Sequence, residues 1–368
     1  MAQPMISLRE VTKRFPGPGE AAVRGLSMDV AEGNVVCLVG PSGCGKTTTL
    51  KMINRLVEPT SGTITVNGVD VMKQDPVDLR RGIGYVIQSI GLLPHRTVAE
   101  NIGTVPTLVG WEAQRIEART RELAGILHLD HGLLARYPGE LSGGQRQRVG
   151  VARALAVDPP VMLMDEPFGA VDPIIRARLQ DQFLEIQRRL RKTIVFVTHD
   201  IDEAIKMSDR MAILNVGGVI EQHAPPEEIL RQPANAFVKD FVGFERGLKR
   251  LALVRVAGIE VENGPVVAPG ATPDQALAAM ERSGFDWVSV VDGGELLGWV
   301  DRDMLEGQRT VGDAGPRRFS AYVTADSSLR EALDSIVSSR TQVAVVVTEG
   351  QRYRGILTLD RVSREIVS

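Results

Sequence analysis

The segment Gly40-Pro41-Ser42-Gly43-Cys44-Gly45-Lys46-Thr47 carries the pattern G-x-x-x-x-G-K-[ST]. Glycines at these spacings let successive backbone N–H groups turn inward on phosphate oxygens, and the lysine brings a point charge to the β- and γ-phosphates. The Thr47 hydroxyl is a Mg²⁺ ligand by type, and a helix opening near Lys46 adds the positive end of its dipole. At average residue frequencies such a match arises by chance about one time in a hundred in a chain this long. Here it follows the apolar run Val35-Val36-Cys37-Leu38-Val39 and precedes a helical stretch, the context that phosphate binding needs. Ser42, Gly43, Cys44, Gly45, Lys46, Thr47 and Thr48 are therefore candidate nucleotide-binding residues. Cys44 is expected to contribute backbone and no thiol chemistry.

Two further apolar runs end on groups that do chemistry. Val161-Met162-Leu163-Met164 runs into Asp165-Glu166, and Ile194-Val195-Phe196-Val197 runs into Thr198-His199. Asp165 suits a Mg²⁺ ligand acting through water, and Glu166 suits a general base that polarises an attacking water. A solvated turn is the plain alternative for the paired acids. Apolar runs that are continuous rather than alternating indicate strands covered on both faces, as in a parallel α/β sheet, where ligands bind beyond the carboxyl ends. The segment Leu141-Ser142-Gly143-Gly144-Gln145 adds a serine suited to a helix N-cap, with glycines that leave the first helical N–H groups open to an anion.

With that segment the sequence resembles the ABC ATPase family, whose signature motif reads LSGGQ. The resemblance covers roughly residues 5–245. It implies a P-loop NTPase fold, a mixed sheet core with a helical subdomain at about 88–155, using ATP and Mg²⁺. It also implies roles for single residues. Gln88, in Tyr85-Val86-Ile87-Gln88, resembles the Q-loop glutamine that contacts Mg²⁺ and senses the membrane partner. Gly169-Ala170-Val171-Asp172 resembles the D-loop, with Val171 where leucine is commoner. His199 resembles the switch histidine that holds the γ-phosphate and the water. Phe15 matches the aromatic that stacks on adenine, where tyrosine is more usual and a plain core role is the alternative. The implied catalytic set is Glu166, His199, Gln88 and Asp172, and the implied metal set Thr47, Gln88 and Asp165. In this family Ser142, Gly143, Gly144 and Gln145 complete the nucleotide site of a partner, so a single motif set implies a homodimer, or a closely related second subunit, around two ATP molecules.

The elements that must position these residues follow from texture along the chain. Between about 88 and 155 the pattern is helical, and Trp111, Ile116, Leu123, Ile126 and Leu127 are spaced as one apolar face. The basic knot Arg188-Arg189-Leu190-Arg191-Lys192 ends a helical stretch, where cations suit the helix dipole. After about 245 a weak repeat begins. Ala271–Met280, Trp287–Val291 and Gly298-Trp299-Val300 are echoed by Ala325–Leu333, Gln342–Val347 and Gly355-Ile356-Leu357. Both copies, at about 250–308 and 315–368, read helix, buried strand, hairpin, strand, helix, and resemble a tandem CBS pair, an α/β domain over 246–368.

Composition bounds the rest. At 368 residues the chain has room for two domains, and with 43% hydrophobic and 24% charged residues it has the make-up of a globular protein. A formal net charge of −3 gives no general attraction to nucleic acid. Two cysteines, Cys37 and Cys44, offer no disulfide framework or zinc spacing. The start Met1-Ala2-Gln3-Pro4-Met5-Ile6 lacks the marks of a signal peptide, and no apolar run reaches the ~18 residues needed to cross a bilayer. Membrane work is therefore expected to go through a partner.

Closer likeness points to one transporter group. Lys46–Leu56 followed by Glu58-Pro59-Thr60-Ser61-Gly62, Ile83–Gln88, Val98-Ala99-Glu100-Asn101-Ile102, Met164–Ala170, Pro226–Pro233 and Phe237–Gly243 look like the glycine betaine/choline/proline importers, in which a CBS-like tail is typical. The likeness implies a peripheral subunit at the cytoplasmic face of the inner (plasma) membrane. It also implies an integral membrane permease and an extracytoplasmic substrate-binding protein. Import of another small solute and a non-transport regulatory ABC ATPase are the alternatives. For the tail, a nucleotide ligand, a response to ionic strength and simple dimerisation stay open. Asp360 sits one residue early for the ribose-binding acid of CBS modules, and Asp301, replacing a hydroxyl, is expected to repel phosphate.

Overall fold

The buried runs Val35–Val39, Val161–Asp165 and Thr193–Thr198 lie side by side in one sheet. The structure is a computed structural model that describes residues 3–17, 19–89, 91–169, 172–348 and 350–367. The chain divides into two units, Met1–Val242 and Gly243–Ser368.

In the first unit the six-stranded sheet runs Val219–Ala224, Arg210–Asn215, Val35–Val39, Thr193–Thr198, Val161–Asp165, Ile83–Val86. Val219–Ala224 is antiparallel to its neighbour and the other pairs are parallel. Every residue of the three central strands is buried, which is why their sequences run apolar without alternation. Helix Lys46–Ile53 covers one face through Leu50 and Ile53, which join Ile6, Leu8 and Ile64 in a single core. Those last three belong to a four-stranded antiparallel sheet, Val23–Val30, Ile6–Lys13, Ser61–Val66, Val69–Asp70. The sheet core is thus mixed in strand direction.

No strand occurs between residues 87 and 160 among the described residues. The helices there are Val98–Ile102, Thr104–Leu108, Ala113–Ile126 and Gly143–Leu155. The apolar face of Ala113–Ile126 is narrower than its sequence suggests. Leu123 and the capping Leu127 are buried, whereas Ile116 and Ile126 are half-buried. Trp111 precedes the helix and packs under the Arg115 guanidinium, 3.6 Å from its ring centroid. Thr120 and Ala124 complete the buried stripe, small enough for close helix contact.

The second unit contains the same motif twice. Val266–Val267, Trp287–Asp292 and Glu295–Asp301 form one sheet, and Tyr322–Val323, Val343–Val347 and Tyr353–Thr358 the other. In both, the first pair is parallel and the second antiparallel, with a register shift at Val290/Val291 and at Val346/Val347. Helices Pro273–Ser283 and Leu329–Ser338 open on capping boxes, Thr272 with Gln275 and Ser328 with Glu331. A flanking segment bridges each hairpin, Arg317 to Trp299 and Glu262 to Ile356. At both crossings the strand carries a glycine, because a Cβ on Gly298 or Gly355 would stand 2.4 Å from the carbonyl oxygen of Arg317 or Glu262.

Candidate functional site

The loop after Val35–Val39 turns sharply enough to bring its own carbonyls onto the lysine that ends it. Lys46 Nζ donates to Gly40 O at 2.7 Å and to Pro41 O at 3.0 Å. A Cβ on Gly40 would meet Leu214 O at 2.2 Å, so the neighbouring strand's backbone walls the loop on that side. Gly43, at φ +79°, has open space where its Cβ would be.

A cavity of about 490 Å³ opens over this loop, lined by Ala22, Ser42, Gly43, Gly45, Lys46, Thr47, Thr48, Glu166 and His199. Apart from Ala22, which precedes strand Val23–Val30, those groups follow the carboxyl ends of three parallel strands, as the sheet's topology requires. Thr47 Oγ1 donates to Asp165 Oδ1 at 3.0 Å. Burial pushes the Asp165 carboxyl up from its ordinary range, and the Thr47 bond works against that shift. Partial burial, with the Asp165 charge adding to it, pushes the half-buried Tyr85 up to about 12. Among the described residues no group of three His, Cys, Asp or Glu side chains is arranged to hold a metal. The hydroxyl and carboxylate of Thr47 and Asp165 nevertheless form an all-oxygen pair. Such a pair fits Mg²⁺, which takes few protein ligands and keeps water and phosphate for the rest.

Glu166 is held at both carboxylate oxygens. Gln88 Nε2 donates to Oε2 at 2.8 Å, and His199 Nδ1 lies 3.2 Å from Oε1. Glu166 itself sits at φ +46°, a left-handed conformation uncommon for a non-glycine residue. Its backbone N–H donates to Val197 O, which fixes the strand-end turn.

The remaining predicted residues lie elsewhere. Phe15 does not line the cavity; the residue is 47% exposed, with Lys13 Nζ 5.1 Å from its ring centroid. Ser142 caps Gly143–Leu155 in a capping box, accepting from Gln145 N at 3.3 Å while Ser142 N donates to Gln145 Oε1 at 2.8 Å. Those residues also lie outside the cavity lining. Ala170 and Val171 of the D-loop segment lie outside the described residues, and Asp172 is exposed before helix Pro173–Leu190. Sequence reading missed Ala22 as a wall of the cavity, which no local pattern marks.

In the second unit a cleft of about 360 Å³ has a floor of Val256, Ile259, Val261 and Val346, with Thr324 and Arg354 at its edge. Thr358 Oγ1 donates to Glu262 Oε2 at 2.7 Å. The pseudo-equivalent Asp301 does not stand as a bare repelling charge. Arg340 Nη2 lies 3.0 Å from its Oδ2 and Arg317 Nη1 4.0 Å, both guanidiniums resting 5.6 Å from the Trp299 ring centroid. The neutralising partners come from other segments, which is why the local sequence suggested repulsion.

Comparison with known proteins adds to this geometry. The ABC transporter family model matches residues 23–169, and the CBS domain model matches 257–305 and 311–368. A glycine betaine/carnitine/choline transport ATP-binding protein, OpuCA of Bacillus subtilis, is 47% identical over 96% of this chain and 94% of its own length. An osmoprotectant import ATP-binding protein, OsmV of Salmonella typhimurium, is 45% identical over 98% and 95%. Among solved structures, the dimeric bacterial ABC transporter cassette MJ0796 aligns with a TM-score of 0.55 and 32% identity, over 60% of this chain and 98% of that one.

Proposed function

The chain belongs to the family of ABC transporter ATP-binding proteins, and from that premise we propose that it powers uptake of a quaternary-amine osmolyte through a separate membrane permease. It is an ABC-type ATPase, and the solute class is that of glycine betaine, choline, carnitine or proline betaine. The observation that carries the reading is the match at 47% identity along nearly the whole chain, CBS repeats included, to a transport ATP-binding protein for such solutes.

ATP lies with its adenine on Phe15 and its phosphates against the backbone N–H groups of residues 42–48, where Lys46 exchanges loop carbonyls for phosphate oxygens. Thr47 and Asp165, with Gln88 as a third oxygen donor, are the residues to hold Mg²⁺, whose chemistry is neutralisation of phosphate charge. Two chains close head to tail, each setting Ser142, Gly143, Gly144 and Gln145 on the other's γ-phosphate, with Asp172 beside the junction. Glu166 then gives up one of its present partners to accept a proton from the attacking water, and His199 holds water and γ-phosphate in line. Hydrolysis reopens the pair.

The described residues include no helix long and apolar enough to cross a membrane. In our reading the chain is a peripheral subunit at the cytoplasmic membrane face. The groove of about 770 Å³ between Val98–Ile102 and Ala113–Ile126, lined by Gly103, Ile116 and Leu134, is our choice for the permease seat. Recognition of a quaternary ammonium calls for an aromatic cage, which we assign to an extracytoplasmic binding protein. Trp287 and Trp299 are core residues, and Trp111 is engaged by Arg115. For the tail we favour a nucleotide in the 360 Å³ cleft, whose apolar floor suits a base; calorimetry with adenine nucleotides and cyclic dinucleotides that finds no binding removes that ligand.

The test is ATP hydrolysis by the chain assembled with its permease and binding protein in vesicles, with glycine betaine, choline, carnitine or proline added outside. Stimulation by one of them supports the solute class. Intact basal hydrolysis without any response discards it, and absence of basal hydrolysis discards the whole reading.

A further inference from the structure

Glu203 lies four residues past His199 in helix Ile201–Met207, only 5% exposed, and it does not line the nucleotide cavity. Its Oε2 accepts from Thr198 Oγ1 at 2.5 Å, and its Oε1 has no hydrogen-bond partner among the described residues. Asp200 and Glu203 stand at the N-cap and N3 positions, the spacing at which a glutamate ordinarily reaches back to the N-cap amide. Here the Asp200 amide donates instead to Thr198 Oγ1 at 3.1 Å, and the Thr198 hydroxyl in turn donates a hydrogen bond to Glu203. A hydroxyl has been inserted into the capping box. The carboxyl therefore ties the last residue of strand Thr193–Thr198 to the first turn of the next helix, and His199 lies in the two-residue turn between them.

The His199 side chain is 63% exposed and meets Glu166, while the turn beneath it is pinned at both ends. Burial pushes the Glu203 carboxyl up from its ordinary range even with the Thr198 bond opposing it. An acid kept in such a place with one oxygen unpaired calls for a reason beyond filling space. We infer that Glu203 is a positioning residue for hydrolysis: through Thr198 it fixes the turn that carries His199, and so sets where the imidazole meets Glu166 and the attacking water. The inference rests on the ATPase reading given above.

The test compares ATP hydrolysis by the full-length chain and its Thr198→Val, Glu203→Ala and Glu203→Gln variants, each with His199 intact and with His199→Ala. Thr198→Val keeps the buried shape and removes the hydroxyl with both of its bonds, to Glu203 and from the Asp200 amide, so it serves if Glu203→Ala does not fold. With His199 present, Thr198→Val and Glu203→Ala are expected to lower kcat about tenfold to a hundredfold with KM for ATP nearly unchanged. Glu203→Gln still accepts the threonine proton and is expected to keep most of the activity. In the His199→Ala background neither change is expected to lower the rate further. An equal loss in both backgrounds, or a KM that rises in step, overturns the inference. Should the His199→Ala rate be too slow to divide, the ring ¹³C resonances of His199 decide: they are expected to move in Thr198→Val and hold in Glu203→Gln, and unmoved resonances in Thr198→Val overturn it. Wild-type chain without hydrolysis refutes the ATPase reading instead.

Discussion

The side-chain amide of Gln88 donates to Glu166 Oε2 at 2.8 Å, a bond between residues 78 apart in sequence. It ties the entry of the helical region to the acid that follows strand Val161–Asp165, so a displacement of Gln88 is felt at Glu166 directly. Glu166→Gln keeps the shape of that contact and removes the proton acceptor. Turnover is expected to fall by about 10²–10⁴ while ATP stays bound in a stable dimer. Steady-state hydrolysis and gel filtration with ATP measure both; near-normal hydrolysis removes Glu166 from its role.

Lys46 now spends its donors on the carbonyls of Gly40 and Pro41. Lys46→Ala deletes a charge-assisted bond of about 1.5–3 kcal/mol, so the Kd for ATP should rise roughly ten- to a hundredfold. Calorimetric titration reads this, and an unchanged Kd takes the phosphates away from the loop.

Phe15 is exposed and does not line the cavity over the nucleotide loop. If adenine stacks on it, Phe15→Ala costs about 1–3 kcal/mol of ATP affinity, and Phe15→Tyr restores it. Equal affinity for ATP and inorganic triphosphate in the wild type would falsify the stacking role.

Glu203 also has a signature in stability. Its folded-state pKa is raised by burial first, with Asp200 adding to the rise and Thr198, Arg176 and His199 opposing it. Protonation therefore favours the folded chain. The associated stability is full below the ordinary glutamate pKa and is lost as pH rises through the folded-state value. Glu203→Gln cannot ionise and should flatten that decline, narrowing its stability deficit, or widening its advantage, as pH rises from 4 to 8. Melting curves of both proteins across this range check it, and parallel curves would clear Glu203.

In the second unit, Gly298→Val and Gly355→Val each drive a Cβ onto a carbonyl oxygen 2.4 Å away. Each is expected to destabilise that unit by more than about 2 kcal/mol, since the obstacle is backbone on a paired segment. Denaturant unfolding followed by tryptophan fluorescence reports it through the buried Trp287 and Trp299.

The phosphate loop was legible because its chemistry sits in eight consecutive residues, Gly40 to Thr47, flanked by a strand and a helix. The duplication was legible because Gly298-Trp299-Val300 and Gly355-Ile356-Leu357 mark the same crossing in both copies. Strand order was not, since the pairing of Val35–Val39 with Thr193–Thr198 joins residues 159 apart. The Arg340–Asp301 pair escaped for the same reason. Glu203 was hidden differently: an acid three residues after Asp200 reads as an ordinary helix cap, and only the structure places Thr198 between them. Trp111 was assigned to a helix it precedes, because apolar spacing continues smoothly across the helix start.

Gly40 and Gly43 belong to one motif yet face different selective filters. A side chain at Gly40 collides with the backbone of Leu214 whether or not the protein ever meets a nucleotide, so the fold alone would purge it. A side chain at Gly43 meets open space and pays only for its φ of +79°. In a library of substitutions grown where the activity is dispensable, Gly40 variants should vanish from the soluble pool while Asn or Asp at Gly43 survive. The first glycine is a record of architecture and the second a record of use.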